Sequence, residues 1–162
     1  MILQAPVPIC ETHLLDDFDC GVASLNDWLK RRAIANQKNN ASRTYVVTDG
    51  KKVIAYYCLS SGALALKDAS SSIRRNMPDP IPVAILGRLG VDISWKGKGL
   101  GAALLQDAVL RTVQAAEILG IRGIVVHAIS EQAKQFYEHY GFSPSPTQPM
   151  TLILSLKKRN YS

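Results

Sequence analysis

Apolar and polar positions along this chain change period several times, and each change marks an element. Leu25, Trp28, Leu29 and Ala33 recur at helical spacing, while Lys30, Arg31 and Lys38 lie on the other side and towards the far end, where cations suit the helix dipole. This predicts a helix capped by Ser24, paired with Asp27, and running to about Gln37. Before it, residues 7–10 read as a short first strand. After it, Arg43-Thr44-Tyr45-Val46-Val47-Thr48 has the β-branched and aromatic content of a strand. Asp49-Gly50 is a hairpin turn signal, and residues 53–60 are the returning strand.

The second half is organised around a longer helix. Residues 62–82 are less regular, with a short helix expected over 70–77 carrying Arg74 and Arg75, then Pro78, Pro80 and Pro82 as punctuation. Residues 83–93 form the next strand. Gly87 and Gly90 inside it indicate a bulge, a ligand close to the backbone, or tight packing. Leu104, Ala108, Thr112, Ala115 and Leu119 line one face of a helix over about 100–119, widened by Leu105, Val109, Val113 and Ala116 and ended by Gly120. Residues 122–128 are a strand parallel to the previous one, because a helical crossover joins them. A short helix over 131–140, closed by Gly141, precedes a final strand over 150–156, which runs into a basic tail, 155–162, expected to be frayed. The order predicts one α/β domain over 1–162, a mixed sheet of six to seven strands with helices on both faces.

Composition narrows this picture. Hydrophobic residues make up 47% of the 162, which describes a globular chain rather than a disordered one. Cys10, Cys20 and Cys58 are odd in number without C-x-x-C spacing, and are expected as reduced core thiols of a cytoplasmic protein. Met1 is followed by no leader pattern, and no apolar run approaches the ~20 residues of a membrane span, so no membrane association is expected. The net charge is +6, but residues 30–98 alone hold thirteen lysines and arginines against four aspartates. That excess is either a solvated basic surface or a face for a polyanion. His13, His127 and His139 show no metal-ligand spacing, and His127 is expected as a packed residue of a buried strand.

Candidate chemistry centres on Trp95-Lys96-Gly97-Lys98-Gly99-Leu100-Gly101, between the strand and the long helix. Strand, glycine turn and helix N-terminus turn backbone N–H groups towards an anion, here expected to be a pyrophosphate. Gly97-x-Gly99-x-x-Ala102 formally fits a dinucleotide fingerprint, but the position about 20 residues on is Arg122, and the nearest acid past that strand is Glu131. A Walker A loop is excluded, since no G-x-x-x-x-G-K-S/T occurs.

The loop Lys96-Gly97-Lys98-Gly99-Leu100-Gly101 resembles the Gln/Arg-x-x-Gly-x-Gly/Ala loop of GNAT acyltransferases, with Lys96 where that family prefers Gln or Arg. Ala133-x-x-Phe136-Tyr137-x-x-x-Gly141-Phe142 resembles the family's second motif, about 30 residues on. Phe18-Asp19-Cys20-Gly21, Leu25-Asn26-x-Trp28-Leu29, Ser42-Arg43-Thr44-Tyr45-Val46 and Leu86-Gly87-Arg88-Leu89-Gly90-Val91-Asp92 further resemble the GNAT toxins of bacterial toxin–antitoxin pairs. The resemblance covers nearly the whole chain. It implies acetyl-coenzyme A as cosubstrate, no metal, the α-amine of aminoacyl-tRNA as acceptor, a ribbon-helix-helix antitoxin that mediates DNA binding and repression, and a homodimer. It also implies that Gly97, Lys98, Gly99, Leu100, Gly101 and Ala102, with Lys96, bind the pyrophosphate, and that Leu89, Gly90 and Val91 pair with pantetheine and meet the oxyanion. Ser130 and Phe136 would line the same cosubstrate, and Tyr137 would be the general acid to the departing thiolate.

One absence bears on the acceptor. No glutamate occurs between Glu11 and Glu117, and Asp92 is the only acid on the central strand. A lysine amine, with pKa near ~10.4, needs a base or strong desolvation, whereas an α-amine lies near ~7.7–8.0 and esterification lowers it further. The residues therefore favour an aminoacyl ester over a lysine or polyamine. Lys30, Arg31, Lys38, Arg43, Arg74, Arg75 and Arg88 are the candidate tRNA contacts. An acetyltransferase of protein or small amines and a corepressor acting with its antitoxin are the alternatives.

Overall fold

A computed structural model describes residues 3–156. The elements are β1 (Val7–Pro8), α1 (Ala23–Arg31), α2 (Ala33–Lys38), β2 (Arg43–Asp49), β3 (Lys52–Leu64), α3 (Ser71–Arg74), β4 (Ile81–Val91), α4 (Leu100–Ala116), β5 (Gly123–His127), α5 (Glu131–His139), β6 (Ser143–Pro144) and β7 (Thr151–Ser155). The sheet has seven strands in the order β1-β2-β3-β4-β5-β7-β6, the class and strand number expected. The chain divides into two compact units, residues 3–60 with Leu86–Val109, and Ser61–Ile85 with residues 110–156.

In the first unit β2 and β3 pair antiparallel from Asp49 opposite Lys52, so a two-residue turn with Gly50 at φ 63° joins them. The apolar face of this hairpin meets the apolar stripe of α1. Phe18, Leu29, Val46, Val53 and Tyr56 are fully buried there. Trp28 stacks on Tyr56 at 6.0 Å, and the buried Tyr56 hydroxyl is satisfied by donating to the Leu25 carbonyl at 2.8 Å.

The first helix departs from expectation at both ends. It begins at Ala23 with Val22 in the cap position and no side-chain cap, so Ser24 and Asp27 form no capping box. Asn26 and Asp19 tie the entry instead: the Cys20 N–H donates to Asn26 Oδ1, and Asn26 Nδ2 and the Gly21 N–H donate to Asp19 Oδ1. The helix also breaks at Arg32, at φ −122°, rather than running on to Gln37.

In the second unit Leu64, Ile73, Ile81, Val83, Val125 and Ile153 form the core, and β5 and β7 pair antiparallel. Helix α4 ends at Ala116 and not at Leu119. The Ile118 and Leu119 N–H groups both turn back onto the Ala115 carbonyl, and Leu119 is 65% exposed rather than part of a buried face. Gly120 takes no positive φ and so is no left-handed cap. The expected helix over 70–77 is only the single turn of α3, with Arg75 just beyond it. Arg122 holds that turn through its guanidinium, which donates to the Ile73, Ser72 and Arg75 carbonyls. Strand β6 was not expected from the pattern. Of the predicted tail, Ser155 closes β7 and Leu156 is buried, while residues 157–162 lie outside the described residues. No helix among the described residues is long and apolar enough to cross a membrane.

Candidate active site

In the first unit β4 delivers the chain to the glycine turn. Asp92 follows the strand directly and is 7% exposed. Its carboxylate accepts from the Asp19 N–H at 3.1 Å, the Ser94 N–H at 2.9 Å and the Ser94 hydroxyl at 2.7 Å. Burial pushes this carboxyl up, but the Ser94 and Asp19 donors outweigh it and hold the group below its ordinary value. The acid at the end of the central strand is therefore an ionised cap of the turn over Ile93–Trp95, already accepting three hydrogen bonds.

Asp92→Ala should cost about 1–3 kcal/mol at pH 7, because three part-buried hydrogen bonds to a charged acceptor are lost. A carboxyl lowered in the fold contributes stability that is present above its unfolded pKa, near ~3.9, and lost as pH falls through the lower folded value. Urea midpoints of wild type and variant should therefore differ at pH 7 and converge at acid pH. An equal difference at both would contradict an ionised cap.

The turn itself suits an anion. Gly97 and Gly99 stand at φ 78° and 83°, and a Cβ built on either would meet nothing within 4 Å. Both glycines are there for backbone conformation, and the space beside them is open, a cradle fit for a pyrophosphate. Helix α4 starts at Leu100, so the N–H groups of Leu100, Gly101 and Ala102 belong to its first turn, which lacks intrahelical acceptors and carries no acidic side chain. Lys98 is exposed beside them. Lys96 is not free in the same way, because its Nζ donates to the Cys20 carbonyl at 2.8 Å.

Along β4 the two glycines differ: a Cβ would be crowded at Gly87 but would make only ordinary contacts at Gly90. A Cβ on Gly87 would lie 3.2 Å from Cys58 Sγ, and one on Gly90 would lie 3.4 Å from Cys20 Sγ and 3.6 Å from Phe18. Leu89 and Val91 are half-buried beside them. Cys20 and Cys58 are buried thiols, as expected, but Cys10 is exposed and is no core residue. Burial pushes the Cys58 thiol up, against the adjacent Arg88 charge.

In the second unit Ser130 and Tyr137 sit on opposite ends of α5. The Ser130 hydroxyl accepts from the Ala133 N–H at 3.0 Å and so caps the helix. Tyr137 is buried, with Phe136 edge-on at 5.2 Å and Phe142 at 5.5 Å, and burial pushes its phenol up to about 12. The Phe142 and Tyr140 N–H groups both donate to the Tyr137 carbonyl, and Gly141 at φ 98° turns the chain away. Tyr140, three residues on, is 44% exposed, so of the two tyrosines Tyr137 is the buried one. His127 is exposed, its Nδ1 3.0 Å from the Thr151 hydroxyl, and is not the packed histidine expected of a buried strand.

The basic candidates fall into three kinds. Lys30, Arg31, Arg74 and Arg75 are exposed. Lys38 pairs with Glu11, and Arg43 donates to the Gln37 carbonyl and Asn40 Oδ1 at the end of α2. Arg88 lies over the Trp28 ring at 4.7 Å, a stack worth about 0.5–2 kcal/mol that holds the guanidinium in place without neutralising it. The sequence marked Trp28 only as part of the apolar face of the first helix, and Asp19 and Asn26 only within the motifs of the toxin resemblance. The Asp92-x-Ser94 spacing was the one local signal for this network. Among the described residues no group of three or more His, Cys, Asp or Glu could hold a metal.

Known proteins are similar to this chain in sequence and fold. Residues 40–144 match the Acetyltransferase (GNAT) domain. A tRNA-acetylating toxin of Mycobacterium tuberculosis is 45% identical over 154 residues, which is 95% of this chain and 93% of that one. The solved structure of AtaT complexed with acetyl-methionyl-tRNAfMet superposes with a TM-score of 0.87 at 29% identity, covering 95% of each chain. A tyrosine-to-phenylalanine mutant of the toxin AtaT, bound to the C-terminus of the antitoxin AtaR and acetyl-CoA, gives a TM-score of 0.81 at 27% identity over 96% of this chain and 94% of that one. With a matching domain over most of its length and a relative this similar, the chain belongs to the GNAT acetyltransferase family.

Proposed function

We propose that this protein transfers the acetyl group of acetyl-CoA to the α-amine of aminoacyl-tRNA, and that it is the toxin of a toxin–antitoxin pair. The observation that carries the reading is the 45% identity, over 95% of the chain, to a tRNA-acetylating toxin. The open glycine turn supports coenzyme binding, with the pyrophosphate on residues 97–102 and the pantetheine along Leu89, Gly90 and Val91. The amine nitrogen attacks the thioester carbonyl, backbone N–H groups of β4 meet the developing oxyanion, and Tyr137 gives its proton to the leaving thiolate.

The engaged state of Asp92 supports the choice of acceptor. It leaves that position without a general base, which suits an ester-linked α-amine already neutral near pH 7. Lys30, Arg31, Arg74, Arg75 and Arg88 supply phosphate contacts, so binding weakens as salt rises. A ribbon-helix-helix antitoxin would cover the enzyme and carry it to DNA, and a homodimer is the expected assembly.

The test is to incubate the protein with acetyl-CoA and total charged tRNA and read the aminoacyl esters by mass spectrometry. N-acetylated ester on one or more tRNAs, falling steeply between about 50 and 200 mM salt, is expected. Acetylated lysine with no acetylated ester would replace this reading with a protein acetyltransferase.

A further inference from the structure

We infer that Lys96 is a positioning residue of the glycine turn, acting through the Cys20 carbonyl and not through a phosphate. The inference rests on the reading of that turn as the coenzyme pyrophosphate site. Lys96 has an extended backbone, at φ −68° and ψ 155°, immediately before Gly97. Its Nζ reaches back 76 residues in sequence to the Cys20 carbonyl, at 2.8 Å. A Cβ on Gly21 would lie 3.8 Å from that same Nζ and 3.7 Å from Ile93, so the lysine end packs where the Asp19-Cys20-Gly21 bend leaves room for it. Gly21 stands at φ 87°, a conformation that fixes the direction of the bend.

The tether is one of three between the same two segments. The Ile93 N–H donates to the Asp19 carbonyl at 2.8 Å, and the Asp19 N–H donates to the Asp92 carboxylate at 3.1 Å. On the other side, Asn26 of α1 holds both Asp19 and Cys20. The carbonyl that Lys96 uses is therefore itself held by the start of a helix. Two positive-φ glycines on either side of Lys98 make a turn with little stiffness of its own. A tether on the residue before them fixes where their N–H groups point, and pre-organisation of this kind lowers the cost of binding. What the tether requires is a long side chain ending in an N–H donor. What a phosphate contact would require is the positive charge.

That difference sets the experiment. Acetyl-CoA affinity is measured by calorimetry for wild type, Lys96→Arg, Lys96→Gln and Lys96→Met over a salt series. Loss of the tether in Lys96→Met should weaken binding about tenfold, the size of one charge-assisted hydrogen bond. The dependence on salt should keep the wild-type slope. Lys96→Arg and the neutral donor Lys96→Gln should each recover most of the loss. Recovery by Arg but not by Gln, with a flatter salt slope in Gln and Met, would overturn the inference and make Lys96 a direct phosphate ligand. Unchanged affinity in Lys96→Met would also overturn it. Hydrogen exchange in the ligand-free protein reads the tether separately: Lys96→Met should speed exchange over residues 18–21 and 92–96, and Lys96→Gln should not. Wild type that fails to bind acetyl-CoA would refute the coenzyme reading while leaving this exchange result to decide the tether.

Discussion

Tyr137→Phe should lower the rate of acetyl transfer by about a hundredfold or more while leaving acetyl-CoA affinity close to that of wild type, since general acids contribute about 10²–10⁴ in rate. The expectation combines the proposed role with the observed burial. The ring is fixed between Phe136 and Phe142, and phenylalanine keeps those contacts, so the variant should fold and bind. What it loses is the proton. Burial has pushed the phenol up to about 12, which keeps it protonated through pH 10. Between pH 8 and 10, with the ester-linked acceptor amine already neutral, the wild-type rate should therefore stay level, with no fall due to loss of the acid. Stability should behave differently: a phenol raised in the fold contributes fully below its unfolded pKa near ~10, and the contribution is lost as pH climbs towards the folded value, a dependence that Tyr137→Phe removes. Single-turnover kinetics with a saturating coenzyme would separate the chemical step from binding. Near-normal turnover by the variant would remove Tyr137 from the mechanism.

Features of this fold were legible in the sequence in proportion to how local their causes are. The β2–β3 hairpin follows from alternating β-branched residues and an Asp-Gly turn, all within about twenty positions, and it lies where the pattern puts it. The glycine turn before α4 is likewise a local matter of backbone freedom. The misses involve partners far away in sequence. Ser24 and Asp27 look like a cap, yet Asp19 and Asn26 hold the entry to α1, and Asp19 is in turn held by Asp92, 73 residues on. Lys96 reads as a loop ligand of the pyrophosphate or as one more cation of the basic face until its acceptor on Cys20 is known. Helix α4 loses its last turn because Ile118 and Leu119 find no apolar face to cover, which periodicity alone does not register. The basic candidates show the same limit. Counting charges selects seven residues, but only their partners distinguish the exposed Lys30 and Arg31 from Lys38 and Arg43, whose donors are in use.

Gly99→Val should reduce acetyl-CoA affinity by about a hundredfold or more, and the reason is conformational rather than steric. At φ 83° an L side chain is strained whatever the space, and a β-branched one most of all. Nothing lies within 4 Å of the Cβ position, so no clash with the rest of the protein is available to explain a loss. The substitution forces the turn out of its positive-φ geometry and re-aims the N–H groups that lead into α4, which is the feature proposed to receive the pyrophosphate. Gly120 supplies the control. Its Cβ position is equally open, but its φ is not positive, so Gly120→Ala should leave affinity unchanged and, by narrowing the unfolded ensemble, raise stability by about 0.4–1 kcal/mol. The contrast asks one question twice, once where the backbone needs glycine and once where it does not. Calorimetric titration with acetyl-CoA, beside thermal melts of both variants, gives the answer. Undiminished binding by a folded Gly99→Val protein would mean that the coenzyme does not use this turn. Equal losses at Gly99 and Gly120 would mean that the effect belongs to general destabilisation and not to the turn.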